Sequence, residues 1–366
     1  MKKEAIKEKF IDPWGTVLPE DYNSLIKDFG LEPFNAALFP KPNKLMRRAV
    51  VFAGRDLNTI ANCIKTKKDF YVLSGIMPSS SKIHLGNKLV IDNMSYFQGQ
   101  GAKTYILIAD LEAAATRSRN LEESKKDALS YFVPAFIALG LDPKKTVFYF
   151  QSQNRAVTRL AYSISNKATI NEFRAIYGSF DAPRIMSSVL QVADILYPQL
   201  KKRMPGIIPV GPDQDPHIRL TRDIVARTSS YNFVPPSSIY HRFTPDLDGN
   251  LKMSKSSQNY ISLPESDEEI EKKLKRALTG GRKTSEEQKR LGGQPEKCVI
   301  FELYKQHLIE DDKELKNIYD RCKAGKLLCG EDKQNCIKLM KKFMNDFSKK
   351  LEAAKKQVSK IHFAEE

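Results

Sequence analysis

The sequence predicts an α/β protein, with a doubly wound, parallel, Rossmann-like sheet followed by an all-helical domain. From about residue 66 onward, short apolar runs that end at glycine or a polar turn alternate with helical segments. Such runs are typical of parallel strands that are covered on both faces. After about residue 258, helical periodicity with charged faces replaces this alternation. The length of 366 residues allows two or three domains.

Four buried strands are predicted, and they are Phe70–Gly75, Thr104–Asp110, Thr146–Phe150 and Gly206–Gly211. Helical signals from Leu85 to Gln98 follow the first strand. A second helix begins at the capping residue Asn120 and runs toward Gly140, with a kink expected at Pro134. The stretch from about 153 to 200 is helical, so we interpret it as an insertion between the two halves of a nucleotide-binding fold.

Three domains follow from this pattern. Residues 1–65 are predicted to form an N-terminal appendage. Residues 66–257 form the sheet domain, which includes the insertion and a polar loop at 248–257. Residues 258–366 form the helical domain, where Ser266 and Thr284 each precede a glutamate by three residues, as in a capping box.

The net charge is +16 and the isoelectric point is near 9.4, which favours an anionic partner, with nucleic acid first. A lysine-rich solvated surface explains the charge equally well. Five cysteines show no C-x-x-C spacing, so no metal site is predicted and reduced thiols are expected. No apolar run has the length of a membrane span, and no signal segment opens the chain. The expected location is the cytoplasm.

Two segments carry candidate chemistry. The first, from Pro78 to Asn87, follows a strand and leads into a helix, where phosphates bind in doubly wound sheets. The second is a polar loop with two lysines three residues apart, Lys252-Met253-Ser254-Lys255-Ser256. Each has an ordinary alternative, because a lone histidine at a helix start is often a cap and a lysine-rich loop is often only solvated surface.

Together these segments resemble the two signatures of class I aminoacyl-tRNA synthetases. The resemblance implies that an amino-acid carboxylate attacks the α-phosphate of ATP, that pyrophosphate leaves, and that the aminoacyl group passes to tRNA. It implies catalytic roles for His84, Lys252 and Lys255. ATP would enter with Mg²⁺ held mostly by its phosphates. The ATP-binding residues implied here are Pro78, Ser79, Gly86, Asn87, Met253, Ser254 and Ser256.

A third block, Asp213 to Asp223, is similar to the D-Q-x-x-H-x-x-L-T-R-D segment of tryptophanyl- and tyrosyl-tRNA synthetases. That similarity implies that Gly211 and Asp213 lie near the ribose of ATP and that Gln214 lies near the amino acid. The alternative is a plain helix N-terminus with an acidic first turn.

Several residues favour tryptophan over tyrosine. Leu73 stands where tyrosyl enzymes usually carry a tyrosine that holds the substrate hydroxyl. The Asp12–Gly15 opening, the first motif ending at Asn87, and Gly280-Gly281-Arg282 resemble archaeal and eukaryotic tryptophanyl enzymes. The tryptophan-binding residues implied by the resemblance are Leu73, Glu112, Gln191, Asp194 and Gln214.

Within that set, Asp194 is expected to accept the indole N–H, although it could equally bind a tyrosine hydroxyl. Gln191 is expected to hold the α-amino group. Leu73 and Leu107 replace the tyrosine and glutamine that contact the indole nitrogen in the eukaryotic pattern.

The expected partners are L-tryptophan, ATP and tRNA(Trp), with the helical domain reading the anticodon and two copies forming a homodimer. A tyrosyl enzyme is the first alternative. A non-catalytic, synthetase-like RNA-binding protein is the second, and eroded motifs would be its mark. The residues His84, Gly86, Lys252 and Lys255 are intact, which favours the enzyme.

Overall fold

The computed structural model describes residues 22–78, 82–178, 181–255 and 259–365. The expectations for Asp12–Gly15, Ser79 and Ser256 lie outside these residues. Within the described ranges, each helix is too short or too polar to cross a bilayer.

Seven of the strands build one central sheet. In chain order the strands are β1 (Glu32–Pro33), β2 (Val51–Arg55), β3 (Tyr71–Ile76), β4 (Ile83–His84), β5 (Lys103–Ile108), β6 (Thr146–Phe150), β7 (Gly206–Val210), β8 (Ser237–His241) and β9 (Ser262–Leu263). The sheet order is β1-β2-β8-β7-β3-β5-β6. Strands β8, β7, β3, β5 and β6 are parallel, whereas β1 and β2 are antiparallel additions. The predicted fold class is confirmed, and the four predicted strands are β3, β5, β6 and β7.

Helices cover both faces of the sheet. They are α1 (Tyr22–Asp28), α2 (Lys44–Arg47), α3 (Leu57–Thr66), α4 (Leu85–Gly99), α5 (Asp110–Arg117), α6 (Leu121–Asp127), α7 (Val133–Ala138), α8 (Arg155–Ile164), α9 (Ile170–Tyr177), α10 (Ala182–Leu196), α11 (Asp215–Arg227), α12 (Asp267–Arg276), α13 (Ser285–Leu291), α14 (Val299–Leu303), α15 (Asp312–Lys323) and α16 (Cys329–Lys355). Two segments are π-helical. Ala128–Phe132 joins α6 to α7, and Tyr304–Leu308 follows α14.

Side chains alternate between two cores along the strands, as strand geometry requires. On β5, Ile106 and Ile108 pack into the core that contains α4 and α16, whereas Leu107 packs into the core that contains α8 to α11. On β6, Phe148 and Tyr149 divide in the same way. Both faces of the sheet are therefore buried, which explains why these strands are apolar throughout.

The chain reverses its direction of sheet growth between β3 and β7. It runs from β3 outward to β5 and β6, passes through α8 to α10, and returns to β7 on the other side of β3. Ligands of open α/β sheets bind outside the carboxyl ends of the strands at such a reversal. The helical insertion therefore leads the chain to the strand that completes this crevice.

The expected N-terminal appendage contributes directly to the sheet. Strands β1 and β2 extend it beyond β8, and β2 pairs with β8 from Val51 to Arg55. Lys44 and Arg48 also donate hydrogen bonds to backbone carbonyls between residues 305 and 310. Described residues of this segment thus contact both the sheet and the C-terminal helices, while the domain boundaries at 65 and 257 stay predictions.

Candidate active site

A cleft of about 520 Å³ opens at the carboxyl ends of β3 and β7. Strand β3 contributes Leu73, Ser74 and Gly75, and strand β7 contributes Ile208, Pro209 and Val210. The other predicted site residues that line it are His84, Gly86, Asn87, Glu112, Gln191, Gly211, Asp213, Gln214, Lys252, Met253, Ser254 and Lys255. Residues from distant parts of the sequence therefore converge on the crevice that the sheet topology creates.

His84 is the N-cap of α4, and the cap determines the form of its ring. The Gly86 N–H donates to Nδ1 at 3.1 Å, and the His84 N–H donates to the side-chain oxygen of Asn87 at 3.0 Å. Because Nδ1 accepts, the ring proton lies on Nε2. Desolvation, with the charges of Lys255 and Lys252, lowers the pKa of His84 to about 4. The ring is therefore a neutral donor through Nε2.

Gly86 is required by the close approach of this ring. A Cβ at position 86 would lie 2.9 Å from Cε1 and 3.0 Å from Nδ1 of His84. These separations are shorter than side-chain contacts permit, so a larger residue would displace the imidazole.

The described part of the lysine loop, residues 252–255, lines the cleft together with His84. The Met253 N–H donates to the carbonyl of Thr244 at 2.7 Å, and the buried Met253 side chain anchors the start of the loop. At the far end, β9 pairs with β4, so that Ser262 lies opposite His84. Both ends of the loop are thus held at the cleft.

The two lysines have different surroundings. Lys252 Nζ lies 2.9 Å from Asp213 Oδ2 and 4.9 Å from the centre of the Phe243 ring. Lys255 Nζ lies 6.0 Å from the centre of the Phe132 ring. Partial burial lowers the pKa of Lys255 to about 8. The loop therefore places one paired cation and one partly desolvated cation at the cleft.

The block that begins at Gly211 lies across the cleft from β3. A Cβ at Gly211 would lie 2.5 Å from Asp213 Oδ1, so glycine lets the aspartate fold back beside the strand end. Gln214 Nε2 donates to Asp213 Oδ2 at 3.2 Å. The carboxylate of Asp213 therefore joins Gln214 and Lys252 in one polar group.

A second polar pair in the cleft consists of the carboxylate of Glu112 and the amide of Gln191. Gln191 Nε2 lies 3.0 and 3.1 Å from the two carboxylate oxygens of Glu112, which is buried. Leu73 and Leu107 supply apolar surface nearby. This part of the cleft combines a negative charge, an amide and apolar side chains.

Asp194, which is expected to accept the indole N–H, does not line the cleft. It is fully buried behind the cleft and is not among the lining residues. Tyr149 Oη and Gln151 Nε2 donate to its two carboxylate oxygens at 3.0 and 2.6 Å. Desolvation raises its pKa to about 8. Because its acceptors already have donors, Asp194 supports the wall of the cleft. Pro78 is also buried and does not line the cleft.

Three lining residues with ionisable side chains were not predicted as site residues, and these are Arg117, His217 and His241. His217 Nδ1 lies 2.8 Å from the hydroxyl of Tyr177, and burial lowers its pKa to about 3. The D-Q-x-x-H spacing placed His217 one turn into α11 and could have revealed it. Arg117 and His241 carried no local signal.

Comparisons with known proteins agree with this geometry. Residues 65–345 match the family described as tRNA synthetases class I (W and Y). The tryptophan–tRNA ligase of Methanocaldococcus jannaschii is 40% identical, with 96% of this chain and 97% of that protein covered. The tryptophan–tRNA ligase of Hyperthermus butylicus is 42% identical, with 95% and 96% covered.

The crystal structure of tryptophanyl-tRNA synthetase from Aeropyrum pernix superimposes with a TM-score of 0.89 at 41% identity, and the match covers 97% of this chain and 99% of that one. Tryptophanyl-tRNA synthetase from Plasmodium falciparum gives a TM-score of 0.84 at 26% identity, with 93% and 96% covered.

Proposed function

This chain belongs to the class I tRNA synthetases for tryptophan and tyrosine, and we propose that it activates L-tryptophan with ATP and transfers the aminoacyl group to tRNA(Trp). The products are tryptophanyl-tRNA, AMP and pyrophosphate. The observation that carries this proposal is the convergence of His84, Lys252 and Lys255 on one cleft at the sheet reversal. Catalysis of substitution at a phosphorus atom needs hydrogen-bond donors and positive charges held next to the phosphate oxygens.

Activation requires one bond to form and one to break at the α-phosphorus. A tryptophan carboxylate oxygen attacks, and the bond to the bridging oxygen of pyrophosphate breaks. The carboxylate is already ionised, so no general base is needed. His84 donates from Nε2 to oxygen around the α-phosphate, and its low pKa keeps this donor neutral throughout the working pH range.

The lysines neutralise the departing pyrophosphate. Lys255 lies partly desolvated at the cleft, so a polyanionic ligand that pairs with it stabilises its protonated form. Lys252 pairs with Asp213 before the nucleotide arrives. A ribose that bonds to Asp213 releases Lys252 toward the phosphates. Binding of the ribose of ATP thus makes the Lys252 ammonium group available to its phosphates.

Mg²⁺ accompanies ATP and reduces the charge of the phosphates. Among the described residues, no group of three histidine, cysteine or carboxylate side chains is arranged to hold an ion. We place the metal mostly on the phosphates, because Mg²⁺ is usually bound through one or two carboxylates together with substrate phosphates.

The end of the cleft with Glu112 and Gln191 is the proposed tryptophan site. The Glu112 carboxylate and the Gln191 amide hold the α-ammonium group, and Gln214 also lines the cleft. Leu73 and Leu107 pack against the flat indole ring. Neither leucine offers a partner to a phenol hydroxyl or to an indole N–H, so both contribute apolar contact, which suits the larger indole ring better than a phenol.

The C-terminal helices and α8 to α10 supply partner surfaces. We assign tRNA(Trp) to the helical region after residue 258, in agreement with the net charge of +16. Tyr162, Ile170 and Met186 on α8, α9 and α10 are 80%, 52% and 66% exposed, and we propose that a second copy of the chain covers them. We place the protein in the cytoplasm, where tRNA charging occurs.

Amino-acid-dependent exchange of pyrophosphate into ATP tests the proposal. We expect exchange with tryptophan and charging of tRNA(Trp). Exchange with tyrosine alone would refute the substrate. If tRNA binds but no amino acid supports exchange, the protein is the non-catalytic alternative.

A further inference from the structure

The outer edge of strand β6 is covered by residues 361–364, which we call the edge segment. Strand β6 is the last strand of the central sheet, and it pairs with β5 on its inner side. The edge segment follows α16 and the 3₁₀ turn Val358–Lys360. Its Phe363 forms a parallel bridge with Phe148, and the Ala364 N–H donates to the Phe148 carbonyl oxygen at 2.8 Å. The segment therefore extends the sheet beyond its last strand.

Side chains of the edge segment pack on both faces of the sheet. The ring centre of Phe363 lies 6.0 Å from that of Phe148 and 5.3 Å from that of Phe150, in the core that contains α4 and α16. Ala364 packs against the other core, which contains Tyr149. This alternation is that of a strand. An uncovered edge strand exposes a row of backbone N–H and C=O groups, so the segment both pairs with and shields the carboxyl half of β6.

The carboxyl end of β6 carries a buried hydrogen-bond network beneath the residues that line the cleft. Tyr149 and Gln151 donate to the two carboxylate oxygens of Asp194. Gln151 is fully buried, and its Oε1 also accepts from the Glu112 N–H at 3.4 Å. Asp194 lies one turn after Gln191 on α10. The end of β6 thus contacts the two helices that carry the Glu112–Gln191 pair.

We propose that Phe363 is a positioning residue for the tryptophan site. By closing the edge of β6 it fixes the end of that strand, and the network at this end keeps Glu112 and Gln191 in place for the α-ammonium group. This inference rests on the proposed function and deepens it. With its edge open, β6 is held from one side, and local opening of such a strand costs less free energy. Glu112 and Gln191 would then sample more positions.

This role predicts a selective effect on tryptophan. The residues assigned to ATP follow β7 or belong to α4 and the lysine loop. Strand β7 lies on the opposite side of β3 from β6, so a loosened β6 leaves that side of the cleft in place. A merely structural role of Phe363 would lower stability and weaken both substrates alike.

The test compares the wild type with variants of the edge segment and of α16. Phe363→Ala removes the ring contacts, and Phe363→Tyr keeps them. Ala364→Pro removes the donor to Phe148. Phe343→Ala is the matched control, because Phe343 is a half-buried ring on α16 that packs against the same core as Phe363. We measure kcat and KM for tryptophan and ATP in pyrophosphate exchange, and the equilibrium affinities for L-tryptophan and for indole-3-propionate, which lacks the α-ammonium group.

Phe363→Ala should raise the KM for tryptophan about threefold or more, as for residues coupled through one network, with kcat and the KM for ATP unchanged. Its preference for tryptophan over indole-3-propionate should fall by the same factor, because the Glu112–Gln191 pair meets the ammonium group. Phe363→Tyr should restore wild-type values. Phe343→Ala should lower the urea midpoint of unfolding and leave both KM values unchanged. Ala364→Pro should act in the same direction as Phe363→Ala, and it decides if that variant does not fold.

The inference is overturned if Phe363→Ala raises both KM values equally, or if its preference for tryptophan over indole-3-propionate equals that of the wild type. A change of the same size in Phe343→Ala would also overturn it. Wild type without exchange contradicts the proposed function, while the two equilibrium affinities still test Phe363. Wild type that does not bind tryptophan overturns both.

Discussion

Lys252 Nζ lies 2.9 Å from Asp213 Oδ2, which joins the lysine loop to the end of the β7 segment. The lysine is 30% exposed at its side chain and the aspartate 11%, so the pair is partly screened and easily exchanged for a ligand. The same loop is held by Met253 at one end and by the pairing of β9 with β4 at the other. These contacts hold described residues within the loop and beyond it close to the cleft.

Lys255→Ala should slow adenylate formation at least tenfold, about 1.4 kcal/mol of barrier, because a cation for the leaving pyrophosphate is lost. Single-turnover adenylate formation measures this, and tryptophan affinity should change little. Lys65→Ala, on the exposed side of α3, removes the same charge far from the proposed reaction centre and is the control. Equal rates for the two variants would contradict the role.

ATP affinity should depend on pH through Lys255. Its pKa is about 8 in the free protein, and pairing with phosphate raises it. Affinity should therefore be constant well below pH 8 and fall as pH rises through 8, where the free protein must first gain a proton. Titration of ATP from pH 7 to 9.5 measures this. Lys255→Ala should remove the slope, and a slope that persists would assign it to another group.

Gly86→Ala should reduce the rate of adenylate formation roughly 10²–10³-fold, the cost of losing one preorganised donor. The new Cβ would meet the His84 ring at 2.9 Å and push Nε2 out of place. Gly99→Ala is the matched control, since a Cβ at the end of the same helix meets nothing within 4 Å. If both variants keep full rates, the geometry of the cap does not matter to catalysis.

Thr244→Val should destabilise the protein by about 1–3 kcal/mol, because two buried groups lose their partner. The Thr244 hydroxyl donates to Gln306 Oε1 at 2.7 Å and accepts from His307 Nε2 at 3.0 Å. The free energy of unfolding in urea measures the loss. Thr244→Ser keeps the hydroxyl and should be the more stable variant; the reverse order would show that packing of the methyl group dominates.

Much of the site could be predicted from the sequence because its motifs are local. The cap at His84 needs Gly86 and Asn87 within three residues, and the lysine loop is a single continuous run. The strands β3, β5, β6 and β7 are apolar on both faces, so their burial is also visible in the sequence. Strand β8 was missed, because Ser237, Ser238 and His241 interrupt its apolar pattern although all three are buried.

By itself, the sequence determined the sheet's central strands and the residue types that we propose to meet the phosphates, since both depend on neighbours a few positions apart. Tertiary structure alone decided which polar side chains line the cleft and which are buried beneath its lining residues. Asp194 is withdrawn from the cleft by Tyr149 and Gln151, which come from β6 and the turn after it. Among the described residues, Nε2 of His241 has no hydrogen-bond partner. The hydrogen-bond partners of a buried side chain such as Asp194 come from distant segments of the sequence. They come close to it only after the sheet has formed.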